Sequence, residues 1–249
     1  MFVHTIDPAF LHLGPVTIRY YGLIYALGFA VAYVALRRAI EKKELPLRKE
    51  DADTLLLCLI IGVVVGARVF EVIFYSPSYY LASPLKILAL WEGGLSFHGG
   101  LVGAAAAATL FCRKKKTKFL QLADALTIPA AFALAMGRFA NFINGELYGV
   151  PTSLPWGVLF PGAQEYRHPT QIYEALKNLV IAGILLQVKK RPRHQGHLFG
   201  VFLLLYATFR FVIEFWKEPE VAVGFLTMGQ ILSLAMLPIA IRLLKKSGK

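Results

Sequence analysis

The chain has 249 residues, of which 57% are hydrophobic and only 17% charged. So few polar groups cannot cover a water-exposed surface, which excludes an ordinary soluble fold. The 27 Lys and Arg against 15 Asp and Glu give a formal charge of +12, an excess that points to nucleic acid or to an anionic membrane surface.

The opening run MFVHTIDPAFLHLGPVTI has neither a basic n-region nor a small-residue cleavage site, so no removable signal peptide is expected. A bilayer core about 30 Å thick takes roughly 20 mostly apolar residues per helix. Charge clusters divide the chain into seven such stretches, at 16–36, 53–75, 96–112, 121–144, 169–188, 196–216 and 226–244. The third is short and rich in small residues, GGLVGAAAAAT, a composition that lets neighbouring helices approach closely. Residues 145–168 form a segment outside the spans, and no internal repeat or low-complexity linker is visible. The expectation is a single polytopic all-α integral membrane domain over residues 1–249. Cys58 and Cys112 lie in apolar runs without a CxxC pair and read as packing residues.

The basic residues sort by position. Six fall at 37–49 after the first span, five at 113–118 after the third, four at 189–193 after the fifth and four at 242–249 after the seventh. The opposite side carries only Arg19, Lys86, Arg167 and Lys217. The positive-inside rule then puts the N-terminus outside and the C-terminus in the cytoplasm. Short juxtamembrane clusters at every cytoplasmic turn are what topology and anionic lipid require, so no nucleic-acid partner is expected.

Four basic residues remain within predicted spans: Arg68, Arg138, Lys177 and Arg210. A charge at the helix centre costs at least about 2.5 to 3.5 kcal/mol on insertion scales, so each needs a partner, a water-filled cavity or a function. Spacing offers Arg68 with Glu71 and Glu174 with Lys177 at i,i+3, and Arg210 with Glu214 at i,i+4. Helix direction fixes depth. Tyr21, Arg68, Glu71, His98, Arg138, Asn141, Gln171, Glu174, Arg210 and Glu214 all fall in the outer half of the bilayer, on six helices. Asp124 is the exception, placed to cap the start of its own helix on the cytoplasmic side. Arginines converging on an outer-leaflet cavity suit an anionic headgroup, since guanidinium binds phosphate oxygens bidentately and keeps its charge when desolvated. A histidine among them can serve as a base near neutral pH.

One run, Gly137-Arg138-Phe139-Ala140-Asn141-Phe142-Ile143-Asn144-Gly145-Glu146-Leu147-Tyr148-Gly149, resembles the signature of the bacterial prolipoprotein diacylglyceryl transferase family. Other blocks follow in the family's order: Tyr20-Tyr21-Gly22-Leu23, Gly93-Gly94-Leu95-Ser96-Phe97-His98-Gly99-Gly100, Arg167-His168-Pro169-Thr170-Gln171-Ile172-Tyr173-Glu174, and Tyr206-Ala207-Thr208-Phe209-Arg210-Phe211 with Glu214. Ala140 and Thr170 stand where many members have glycine and serine, and the segment from 150 to 167 is shorter than in some members. The resemblance implies transfer of the diacylglyceryl group of phosphatidylglycerol to the lipobox cysteine of prolipoproteins, in the bacterial inner membrane, with release of glycerol phosphate and no cofactor. It also implies Arg138 and Arg210 as phosphate-binding cations and His98 as a candidate base. Tyr21, Asn141, Asn144, Glu146, Gly149, Tyr206 and Glu214 become binding or orienting groups.

Rival readings fit less well. The Gly-x-Ser-x-Gly elbow of a serine hydrolase is absent, and Ser96 is placed instead to cap the third helix. An organic-anion transporter would be expected to show an internal repeat and a site open to both faces. His194 and His197 are spaced like metal ligands but stand on a basic turn with no carboxylate nearby in sequence, so no metal site is expected. The glycine pairs lack the P-loop pattern.

Overall fold

The computed structural model describes residues 1–13, 16–191, 194–218 and 222–245. Arg193, Lys246 and Lys249, three of the cations assigned to the cytoplasmic side, lie outside the described residues. In chain order the elements are the strands β1 (Phe2–Val3), β2 (Ala9–Leu13) and β3 (Val16–Arg19), then the helices α1 (Tyr20–Glu41), α2 (Lys49–Phe70), a short α3 (Pro77–Ala82), α4 (Phe97–Lys115) and α5 (Phe119–Asn144). There follow β4 (Val158–Leu159), α6 (Thr170–Lys189), α7 (His197–Ile213), β5 (Ala222–Val223), β6 (Leu226–Thr227) and α8 (Met228–Lys245). A long helix overlaps most of each of the seven predicted stretches. Five of these helical segments, 20–41, 49–75, 119–144, 197–216 and 228–245, are long and apolar enough to cross a bilayer. His98, the glycines and the basic end Arg113-Lys114-Lys115 of α4, and Gln171, Glu174, Lys177 and Asn178 of α6, make those two helices less apolar.

The first span begins later than expected. Residues 16–19 pair antiparallel with β2 rather than continuing α1, in keeping with the β-branched run Val16-Thr17-Ile18.

The chain divides into two compact units, residues 36–122 and residues 1–35 with 123–249. In the first, α2 packs on α4 along facing small residues. A Cβ on Gly62 would come within 2.7 Å of both Ala107 Cβ and the Gly103 carbonyl oxygen, and one on Gly66 would strike the Gly99 carbonyl oxygen. The closeness expected of the third span is therefore met by a matching Gly-x-x-x-Gly on the second. Ser96 caps α4 by accepting from the Gly99 N–H at 3.2 Å. At the other end of the pair, Asp51 accepts the Arg48 N–H at 2.9 Å and meets Lys115 at 2.6 Å.

Arg68 of α2 is 5% exposed, and its partners overturn the expected pairing with Glu71. Its guanidinium donates to the carbonyl oxygens of Lys86, Ile87, Ala89, Gly93 and Gly94 and to the Tyr80 hydroxyl, at 2.5 to 3.2 Å. Glu71 accepts instead from the Ser76 hydroxyl at 3.1 Å. Arg68 thus satisfies the backbone of an irregular segment, whose carbonyls point inward and would otherwise be buried without donors.

In the second unit the core is formed by Ala131 of α5, Ile181, Ala182 and Leu185 of α6 and Leu198 of α7, with Ile128, Phe202 and Tyr206 against them. Asp124 of α5 does not cap its own helix. It accepts the backbone N–H groups of Gly196 at 2.6 Å and Phe199 at 2.8 Å, so it caps α7. A carboxylate therefore reaches the turn of His194 and His197 after all, from a distant part of the chain. The apolar core occupies the C-terminal half of α6, whereas the buried face of its N-terminal half carries Thr170, Gln171, Glu174, Lys177 and Asn178.

Candidate active site

The polar half of α6 is the centre of the site. Glu174 is 1% exposed, and a carboxylate so deeply buried requires charged partners. Three arrive from other elements. Arg138 Nε of α5 lies 2.7 Å from Glu174 Oε2, Arg210 Nη1 of α7 donates to Oε1, and Lys217 Nζ, just beyond α7, stands 3.3 Å from the same oxygen. Arg210 also reaches Glu214 Oε2 with Nη2 at 2.9 Å, which bears out the i,i+4 pair expected from spacing. Glu214 sits on the turn Glu214–Trp216 that closes α7, and it accepts from the Thr227 hydroxyl at 3.1 Å. A side chain on Gly229 would collide with the Glu214 carboxylate, so the start of α8 must be bare there.

Lys177 departs from the expected pairing with Glu174. Its Nζ lies 4.0 Å from the centroid of the Tyr206 ring and has no hydrogen-bond partner, and among the described residues no carboxylate is within ion-pair distance of it. Among the described residues the cluster therefore holds four cations, Arg138, Lys177, Arg210 and Lys217, against the two carboxylates Glu174 and Glu214. A surplus of two positive charges in a largely buried site is an anion-binding arrangement. Burial pushes the Lys217 ammonium below the ordinary lysine range, and Arg210 and Arg138 act in the same direction while Glu174 opposes them.

The turn after α5 adds a second layer. Asn141 Nδ2 and Asn144 Nδ2 both donate to Glu146 Oε1, at 2.9 and 3.1 Å, and Gln171 Nε2 donates to the Glu146 carbonyl oxygen at 2.6 Å. This fixes a turn in which Gly145 and Leu147 both have positive φ, 69° and 59°. Gly149 donates to the His168 carbonyl oxygen at 2.9 Å, and any side chain on it would strike the Trp216 carbonyl oxygen. Its place is thus a close backbone junction between the segment 145–168 and the residue before Lys217. His168 packs on Tyr173, and burial pushes its imidazole below the usual histidine range.

The structure thus brings together Arg138, Asn141, Asn144, Glu146, Gly149, Tyr206, Arg210 and Glu214 in one unit. Tyr21, half-buried in the first turn of α1, belongs to the same unit. His98 belongs to the other, exposed in the first turn of α4, with Nδ1 3.3 Å from the Tyr75 hydroxyl. Arg68 belongs to the same unit as His98, with the neutral partners given above. Lys217, counted from the sequence only among the four basic residues on the outer side, joins the cationic cluster. The available signal was its place three residues after Glu214, which keeps it beside the end of α7.

The family model described as prolipoprotein diacylglyceryl transferase matches residues 8–245 of the chain. A protein of Geobacter sulfurreducens named Phosphatidylglycerol--prolipoprotein diacylglyceryl transferase is 46% identical over 237 residues, covering 93% of this chain and 91% of its own length. Proteins of the same name from Bordetella parapertussis and Polynucleobacter asymbioticus are 43% and 41% identical, the former over 93% of this chain and 91% of its own, the latter over 100% and 99%. By both measures the chain belongs to the prolipoprotein diacylglyceryl transferase family.

Proposed function

We propose that the chain transfers the diacylglyceryl group of phosphatidylglycerol to the thiol of a prolipoprotein lipobox cysteine, the first step of lipoprotein maturation. It does so as one polytopic domain of seven spans in the bacterial inner membrane, with the N-terminus outside, the C-terminus cytoplasmic and the site facing the outer leaflet. The observation that carries the reading is the cationic surplus around Glu174.

Sulfur attacks the glycerol carbon bearing the phosphate; the C–S bond forms as the C–O bond breaks, and the oxygen leaves with the phosphate as glycerol phosphate. The phosphodiester enters with one negative charge and departs as a monoester with up to two. Cations fixed in advance stabilise the charge that develops, and this stabilisation grows toward the transition state. Arg138 and Arg210 supply forked donors to the phosphate oxygens, and the buried Glu174 holds both guanidiniums in place. A thiol with an ordinary pKa of about 8.5 is mostly protonated at neutral pH, so its proton must pass to a base, the role assigned to His98. Asn141, Asn144 and Glu146 orient the headgroup side, with Tyr21, Gly149, Tyr206 and Glu214 completing the site. The apolar faces of the surrounding helices suit the acyl chains.

The direct test incubates purified protein in detergent with phosphatidylglycerol and a lipobox peptide and follows the peptide by mass spectrometry. A mass increase equal to the diacylglyceryl group on cysteine is expected. Absence of adduct, with anion uptake into liposomes containing the protein, would replace this reading by transport.

A further inference from the structure

We propose that the Lys177 ammonium binds the ester carbonyl oxygens of the diacylglyceryl group and thereby makes the site prefer ester-linked lipid. The inference rests on the transferase reading and assigns the part of the lipid that lies beyond the phosphate.

Lys177 is 5% exposed, and among the described residues its Nζ has no hydrogen-bond acceptor. The next residue, Asn178, is 1% exposed and its Oδ1 is likewise without a partner. Buried polar atoms are almost always satisfied, and an ammonium most of all. The Tyr206 ring covers one side of Nζ at 4.0 Å, which eases its burial but leaves N–H donors for a ligand.

Position selects the ligand. Contacts of Glu174 with Arg210 and of Lys177 with Tyr206 show that α6 and α7 run antiparallel. Lys177 lies three residues beyond Glu174, about 4.5 Å along α6, and Tyr206 four residues before Arg210, about 6 Å along α7. Both are displaced toward Ile181 and Leu185, the apolar end of the bundle. A lipid whose phosphate meets Arg138 and Arg210 presents, on the acyl side, two ester carbonyls. These are acceptors without charge, so they leave the cationic surplus available to the phosphate.

The test compares diester phosphatidylglycerol with a dialkyl ether analogue of equal chain length, both with a lipobox peptide. Transfer breaks neither linkage, so the ether lipid is a competent donor. Wild type should use it with kcat/KM lower by roughly 10- to 100-fold, the worth of a charge-assisted hydrogen bond. Lys177→Met should use both lipids alike, whereas Lys177→Arg should keep the preference. The ratio between lipids does not depend on how much of each preparation is folded. Should Lys177→Met show too little turnover, competitive binding of the two lipids reads the same ratio. A wild type indifferent to linkage, or a Lys177→Met variant that still discriminates, overturns the proposal. Failure of wild type to form thioether from the diester overturns the transferase reading instead.

Discussion

Arg68 and Arg210 are the same residue type in the same setting, one turn from the end of a long apolar helix, and their surroundings differ in kind. Among the described residues Arg68 donates to neutral oxygens, five carbonyls and one hydroxyl, each within residues 80–94 of its own unit. Arg210 meets two carboxylates, one of which it shares with Arg138 and Lys217. The first arrangement saturates the guanidinium and leaves nothing for a ligand. The second fixes several cations around too few anions and leaves positive potential to be used. An intramembrane arginine is thus identified as structural or functional by what remains after its partners are counted.

The comparison can be broken most severely at the cluster. Arg138→Ala and Arg210→Ala should each lower kcat/KM for thioether formation by about 10²- to 10³-fold, as expected when a preorganised charge is removed from a developing anion. Measured by the mass-spectrometric assay on protein that still elutes as a folded species, near-normal turnover in either would remove the phosphate clamp. Arg68→Met should act in the opposite manner. It should lower stability by about 3 kcal/mol through the stranded carbonyls, seen as a lower Tm and proteolysis within residues 83–94, while the folded fraction keeps its turnover. A stable Arg68→Met protein without activity would erase the distinction between the two arginines. The smallest effect is expected at Asp124→Ala, which deprives the α7 N-terminus of its cap and should cost about 1 to 2 kcal/mol with activity retained.

Much of the fold was legible because the bilayer imposes it. Twenty apolar residues between basic clusters leave few alternatives, and each predicted stretch coincides with a long helix. The start of α1 was misplaced because Val16, Thr17 and Ile18 are apolar enough for a span and β-branched enough for a strand. Within the site, pairs close in sequence were readable when they followed one helix face, as Arg210 and Glu214 did. The same rule failed for Arg68 with Glu71 and for Glu174 with Lys177, because distant acceptors and cations compete for the same atoms.

The sequence by itself determined the order of the long helical segments, the asymmetry of charge and, through its motifs, the family. Those properties are sums over local composition, and they survive without knowledge of contacts. Only the tertiary structure decided which charge meets which: that Asp124 caps α7, that Arg68 is occupied, that Lys217 enters the cluster and that Lys177 has no acceptor among the described residues. Pairing in a low-dielectric interior depends on distances of a few ångströms between residues far apart in the chain, and the interaction energy falls or rises several-fold over that range.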